Sequence, residues 1–145
     1  MSYRLHPSLV DDLGVVAALG SEIERVQRQT EVAIVNNINT ISDQLSPTIA
    51  LCVFRIAQEA LQNALKHAHA DTIEVNLEET GDALILMVHD NGVGFDVRKV
   101  NDRFSLGMSS MRERANLVNG SIDIKSRSGN GTTVTFTVPW NERII

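Results

Sequence analysis

The chain is short of cysteine, of positive charge and of long apolar runs, and each shortage excludes something. A lone Cys52 cannot form an internal disulfide or a cysteine-based zinc cage, which fits a reducing, cytosolic setting; the residue itself reads as core packing. With 13 Lys and Arg against 18 Asp and Glu, the net charge of -5 disfavours nonspecific binding to nucleic acid. The same charge means that a polyphosphate ligand needs local cations or a metal, a need that magnesium would meet. No apolar stretch approaches the ~20 residues that cross a bilayer, so no direct membrane insertion is expected. Met1-Ser2-Tyr3-Arg4 does not read as a signal peptide. There is no Walker loop, nucleophile elbow, metal-ligand cluster, internal repeat or domain linker.

What remains suits one globular domain over residues 1–145. At 15.9 kDa, 43% hydrophobic and with mean hydropathy near -0.05, the chain can bury one core without staples.

Periodicity orders the elements. Leu5 to Val10 reads as an extended lead-in. Asp11 or Asp12 can cap a helix in which Val16, Leu19, Ile23 and Val26 recur at helical spacing to about Thr30. Val32 to Ile38 is β-prone but interrupted by Asn36 and Asn37, as an edge strand would be. Ser46-Pro47 starts a long helix whose buried stripe includes Val53, Ile56, Ala57, Ala60, Leu61, Ala64 and Ala68, ending near Ala70.

Ile73, Val75 and Leu77 alternate with polar neighbours, Gly81-Asp82 is a hairpin turn, and Ala83 to Asp90 is apolar enough to lie centrally in a sheet. From Phe95 to Leu106 no period survives, as in a mobile loop. Met108 to Asn119 resumes helical spacing and stops at Gly120 as a C-cap. Ser121 to Ser126 and Thr132 to Val138 are strands joined by a tight turn at Gly129-Asn130-Gly131, with Ile122, Ile124, Val134, Phe136 and Val138 facing in. Strand and helix runs without βαβ alternation point to an α+β fold: a mixed, largely antiparallel sheet with helices on one face.

Three constellations carry chemistry. On the long helix, Glu59, Asn63 and Lys66 share a stripe at the edge of the buried face. A carboxylate there could orient or deprotonate an attacking group, an amide oxygen could complete a magnesium shell, and a lysine could meet phosphate oxygens. A solvated helix face is the bland alternative, weakened by Asn63, a poor mid-helix residue in an alanine-rich run. Second, alternation puts Asp90 on the side of Leu86 and Val88, where a buried carboxylate demands a donor such as the exocyclic amine of a purine. Asn91-Gly92 could be only a hairpin turn, but the residues after it do not alternate, and Gly94 adds a further permissive position. Third, Leu106-Gly107-Met108 is expected at the start of a helix, where free N–H groups favour phosphate. His67 and His69 sit near a helix C-terminus, where His67 could reach the same pocket, while His89 alternates away from Asp90.

In order, Glu59 to His67, Asp90-Asn91-Gly92-Val93-Gly94-Phe95, Leu106-Gly107-Met108 and Gly129-Asn130-Gly131-Thr132 resemble the N box and glycine boxes of the superfamily of gyrases, heat-shock chaperones, histidine kinases and mismatch-repair ATPases. Within it, Met111-Arg112-Glu113-Arg114-Ala115, and Leu5-His6-Pro7 with Asp11-Asp12-Leu13-Gly14, resemble the nitrate-sensor-like group of bacterial sensor histidine kinases. The resemblance covers nearly the whole chain.

It implies a Bergerat-type ATP site in a two-layer α/β sandwich. Asn63 would bind magnesium, Lys66 or His67 would approach phosphate, Asp90 would read adenine, and Gly92 and Gly94 would let the ligand near the backbone. Residues 95–106 would be the ATP lid, Glu59 the polar or base residue of the N box, and Gly107, Met108 and Thr132 further nucleotide contacts. Ser105 departs from the pattern, standing where the second glycine box usually has its first glycine. The His-Asp pair His89-Asp90 lies inside a strand and cannot be the phosphoacceptor. The resemblance therefore implies an excised catalytic domain, with residues 1–10 leading in from a missing dimerisation domain, that phosphorylates a histidine on a separate dimerisation helix. A response regulator would act downstream, and the parent would be cytoplasmic or anchored in the inner membrane. An anti-sigma-factor-type serine kinase and a noncatalytic nucleotide-sensing module are the alternatives.

Overall fold

A computed structural model describes residues 14–39, 41, 45–95 and 102–139, with 102–105 as backbone only. Eight elements follow one another: α1 (Val15–Gln27), β1 (Ala33–Ile38), α2 (Pro47–His67), β2 (Thr72–Glu79), β3 (Ala83–Asp90), α3 (Asp102–Leu117), β4 (Ser121–Ser126) and β5 (Thr132–Pro139). The lead-in, Asp11 and Asp12, and the central part of the expected lid at 96–101 lie outside the described residues.

The five-stranded sheet has the order β1-β2-β3-β5-β4. β1 runs parallel to β2 and the other neighbours are antiparallel, so the expected mixed, largely antiparallel sheet is the one observed. The apolar strand β3 takes the central place that its composition called for. Leu84, Leu86, Val88 and Asp90 point to the covered face, where α1, α2 and α3 pack, and Met87 points to the open one. Val53, Phe54, Ile56, Ile73, Leu77, Phe136 and Val138 are almost wholly buried between the layers.

Ser46 caps α2 by accepting from the Ile49 N–H at 3.2 Å, with Pro47 in the first turn, where its missing N–H costs nothing. Three boundaries differ from the periodicity. Gly14, not an aspartate, holds the N-cap of α1, and no side chain caps it. α3 starts at Asp102, so helix occupies the end of the stretch in which no period was visible. Asn119 takes the left-handed position after α3 with φ 55°, while the Gly120 N–H returns to the Ala115 carbonyl at 2.9 Å.

Both outer strands are tied by side chains. Along β1 three of the amides that face away from β2 are taken inside the chain: Val32, just before the strand, donates to Thr30 Oγ1, Ile34 to Gln27 Oε1 at 2.8 Å and Ile38 to Asn36 Oδ1 at 3.0 Å. Gln27 Nε2 also donates to the Val32 carbonyl at 2.8 Å. On β4, Arg112 Nη1 donates to the Ile122 carbonyl at 3.2 Å. Between α1 and α2 lies a buried polar network. Glu22 accepts from Arg25 Nε and Nη2 at 2.9 and 3.0 Å and from Gln58 Nε2 at 3.0 Å, while Arg55 Nη1 donates to Gln58 Oε1 at 2.9 Å. Burial alone would push the Glu22 carboxyl up, but these donors and the nearby arginine charges hold it below its ordinary value. Among the described residues, no helix is long and apolar enough to cross a membrane.

Candidate functional site

A cleft with about 820 Å³ of empty space, part of it open to solvent, lies between α2, α3 and the covered face of the sheet. Its walls are apolar. Ala60, Ala64 and Ala68 recede along α2, Met108 and Met111 come from α3, and Val88, Ile124 and Val134 come from the sheet. Small residues on the helix opposite branched ones on the strands leave a slot where larger side chains would have closed the two layers. The few polar groups that reach it are Asn63, His67, Asp90 and Thr132.

Asp90 is 4% exposed, at the last position of β3 and opposite Thr132 of β5. Burial raises its carboxyl above the ordinary value, partly offset by the Gly92 and Thr132 backbone N–H groups and by His89. The Gly92 N–H donates to Asp90 Oδ1 at 2.8 Å. The result is a single buried acceptor in an apolar slot, suited to a flat ligand that offers an N–H donor. His89 turns to the opposite face, where Nδ1 meets Thr133 Oγ1 at 2.7 Å. That is the orientation which alternation required.

The α2 residues divide. Asn63 and His67 line the cleft with Ala60 and Ala64, because spacings of three, four and seven residues return to one helix face. Lys66 is exposed on the next turn of the surface and is not among the lining residues. Glu59 lines a smaller polar groove between α2 and α3, beside Gln62 and Arg114, yet approaches Asn63 across Gly107. A methyl group on Gly107 would stand 3.4 Å from the Glu59 carboxyl and 3.5 Å from the Asn63 amide nitrogen.

Gly107 itself is inside α3, not at its start. The expectation of free helix N-terminal amides at Gly107 and Met108 is therefore corrected. An amide this far into a helix is paired within it, and Met108 contributes its side chain to the cleft wall instead. The glycines after Asp90 also have a packing role, and Gly94 lines the cleft. A Cβ on Gly92 would collide with the carbonyl and Cβ of Ala68, and Gly94, at φ 65°, is backed against the Arg127 carbonyl. They let the loop lie flat on the end of α2 and on the β4–β5 turn.

Two residues that sequence reasoning passed over hold that loop. Asn91 Oδ1 accepts from the Asp71 and Thr72 N–H groups at 2.9 and 3.0 Å. Ser126 Oγ accepts from the Phe95 N–H and lies within hydrogen-bonding distance of Thr132 Oγ1, both at 2.8 Å. The Asn91-Gly92 dipeptide was a visible turn signal, but its partner segment lies nineteen residues back in the chain at Thr72. The apolar walls were missed because an alanine or methionine stripe reads as ordinary core.

Residues 49–142 match the family described as histidine kinase-, DNA gyrase B- and HSP90-like ATPases, and the chain belongs to that family. It is 38% identical over 139 residues to the oxygen sensor histidine kinase NreB of Staphylococcus carnosus (strain TM300), covering 96% of this chain and 40% of that protein. It is 36% identical over 138 residues to the signal transduction histidine-protein kinase/phosphatase DegS of Bacillus subtilis (strain 168), covering 92% of this chain and 36% of that one. The chain thus spans about two fifths of the length of these curated relatives. Its fold is similar to that of the histidine kinase domain of the Erythrobacter litoralis EL346 blue-light activated histidine kinase, with a TM-score of 0.71 at 21% identity over 88% of this chain and 61% of that one. It is also similar to the Acinetobacter baumannii histidine kinase AdeS, with a TM-score of 0.69 at 16% identity over 93% and 74% of the two chains.

Proposed function

We propose that this chain is the catalytic, ATP-binding domain of a bacterial sensor histidine kinase of the nitrate-sensor-like type. It binds magnesium and ATP and transfers the γ-phosphate to a histidine on a dimerisation helix outside these residues, in two-component signalling with a downstream response regulator. The observation that carries the reading is the buried Asp90 carboxylate in an apolar slot, with Asn63 and His67 on the facing helix. The kinship with proteins named as histidine kinases supports it. We place the parent protein in the cytoplasm or anchored to the inner membrane with this domain on the cytoplasmic side.

In this reading adenine fills the slot and its amine donates to Asp90. The phosphates extend toward Asn63 and His67, with the Lys66 ammonium at the surface, and Thr132 closes the base side. Magnesium fits the donor set. Among the described residues no group of three or more His, Cys, Asp and Glu side chains is placed to hold a metal, but a magnesium ion commonly takes one protein oxygen plus phosphate oxygens, and the Asn63 amide offers one. When bound it would neutralise charge on the phosphate oxygens. Glu59 takes the proton from the acceptor imidazole as that nitrogen attacks the γ-phosphorus in line. The N–P bond forms, the bond to the β–γ bridging oxygen breaks, and ADP leaves.

Incubation with γ-labelled ATP tests the whole reading. The chain alone is expected to bind ATP without labelling itself, and to give acid-labile, base-stable label on a separately supplied acceptor helix. Stable self-labelling on a histidine would overturn it, and acid-stable label on a partner's serine would favour the serine-kinase alternative.

A further inference from the structure

We propose that Asn91 is a positioning residue of the nucleotide site, fixing the distance between Asp90 and the ligand-facing side of α2. The inference rests on the reading that the Asp90 end of the cleft takes adenine.

Four hydrogen bonds tie residues 91–93 to the segment that leaves α2. Asn91 Oδ1 accepts a fork of two consecutive backbone amides, Asp71 and Thr72, at 2.9 and 3.0 Å. The Asn91 N–H donates to the Thr72 carbonyl at 3.2 Å, and the Val93 N–H donates to the Ala68 carbonyl at 2.7 Å. Ala68 is the C-cap of α2 and follows His67 directly. The two sides of the cleft, helix α2 with Asn63 and His67 and strand β3 with Asp90, are therefore clamped together just beyond their ends.

Satisfying orphan amides does not account for the fork. Asn91 and Asp71 are exposed and Thr72 is only half-buried, so water could take both N–H groups at little cost. What water could not do is fix the two segments to one another. A single side-chain oxygen shared by adjacent amides sets both distance and angle, and Asp90 is the next residue. The neighbouring Gly92 N–H is the donor to Asp90 Oδ1, so any drift of Asn91 is passed to the carboxylate. Asn91 touches no ligand in this scheme and acts through Asp90.

The test is the affinity of the purified chain for ATP and for GTP, with the melting midpoint measured alongside. Asn91→Ala is expected to lose about tenfold in ATP affinity while weak GTP binding stays the same, so that the base preference narrows, with the midpoint within about 2 °C of the parent. Asn91→Asp keeps an acceptor oxygen in place and should retain the preference. Parent-like affinity and preference in Asn91→Ala would overturn the proposal, and so would an Asn91→Asp variant as impaired as the alanine one. Should Asn91→Ala melt well below the parent, Asn91→Asp decides by itself: retained preference supports the role and lost preference refutes it. A parent chain that binds no ATP refutes the nucleotide reading itself, and the role of Asn91 with it.

Discussion

Gly92 donates its backbone N–H to the carboxylate of Asp90, two residues earlier, at 2.8 Å. The loop after β3 thus stabilises the charged form of an acid whose burial favours the neutral one. Burial wins the balance, since the Asp90 carboxyl remains above its ordinary value. Asp90→Asn tests both sides of this. Replacing an acceptor oxygen by a donor that faces a purine amine should cost about 1–3 kcal/mol of ATP binding, read by calorimetric titration, with the circular dichroism unchanged.

The same residue sets a pH trend. Its folded pKa is raised above the unfolded value, so its contribution to stability is present below the ordinary carboxyl range and is lost as pH rises through the folded pKa. Asp90→Asn lacks that loss. Thermal melts from acid to neutral pH should show the variant gaining on the parent as pH rises; a difference that stays constant would mean that Asp90 is not desolvated.

Glu22 works in the opposite direction. Its folded pKa is lowered, so its contribution is present above the unfolded value and is lost as pH falls through the folded one. In Glu22→Gln the new amide would face the Gln58 amide and Arg25, leaving buried donors unpaired at a cost of about 1–3 kcal/mol near neutral pH. That penalty should shrink in acid, where the parent's own carboxyl is protonated. Urea unfolding at both ends of the range measures it.

Gly107→Ala should separate folding from binding. A glycine inside a helix costs about 1 kcal/mol relative to alanine, and the added methyl meets only ordinary contacts at 3.4 and 3.5 Å. The variant is expected to melt a few degrees higher. Yet the methyl stands between Glu59 and Asn63, so magnesium-dependent ATP affinity should fall. Unchanged affinity would show that the ligand does not use this gap.

Gly92→Ala is expected to behave in the reverse manner, destabilising the fold by about 1–3 kcal/mol because the new Cβ has only the backbone and Cβ of Ala68 to occupy. A chemical denaturation curve checks it directly.

Much of this architecture was legible in the residues themselves. The alternation in β2 and the apolar run of β3 placed those strands correctly, although β3 is covered on one face only and its Met87 stands on the open one. Ser46-Pro47 marked the start of α2 for a local reason, a cap that depends on neighbours in sequence. The start of α3 was hidden: from Asp102 to Gly107 the residues carry no apolar stripe, and helix there was not announced by the usual pattern. The site was legible where a residue was chemically out of place, as Asp90 is at the end of an apolar strand and Asn63 is among alanines. It was not legible where the role is shape. Ala60, Ala64 and Met111 make the slot by what they leave empty, and the Asn91 fork joins segments that only the folded chain brings together.

The tying of β1 has a bearing on how copies of this domain behave when crowded. A foreign strand aligning with β1 would seek its outward amides, and those of Val32, Ile34 and Ile38 are already engaged by Thr30, Gln27 or Asn36. Lateral addition would have to break those bonds before making its own. Copies held at high local concentration should therefore gain little from pairing along this edge and meet chiefly through their side chains.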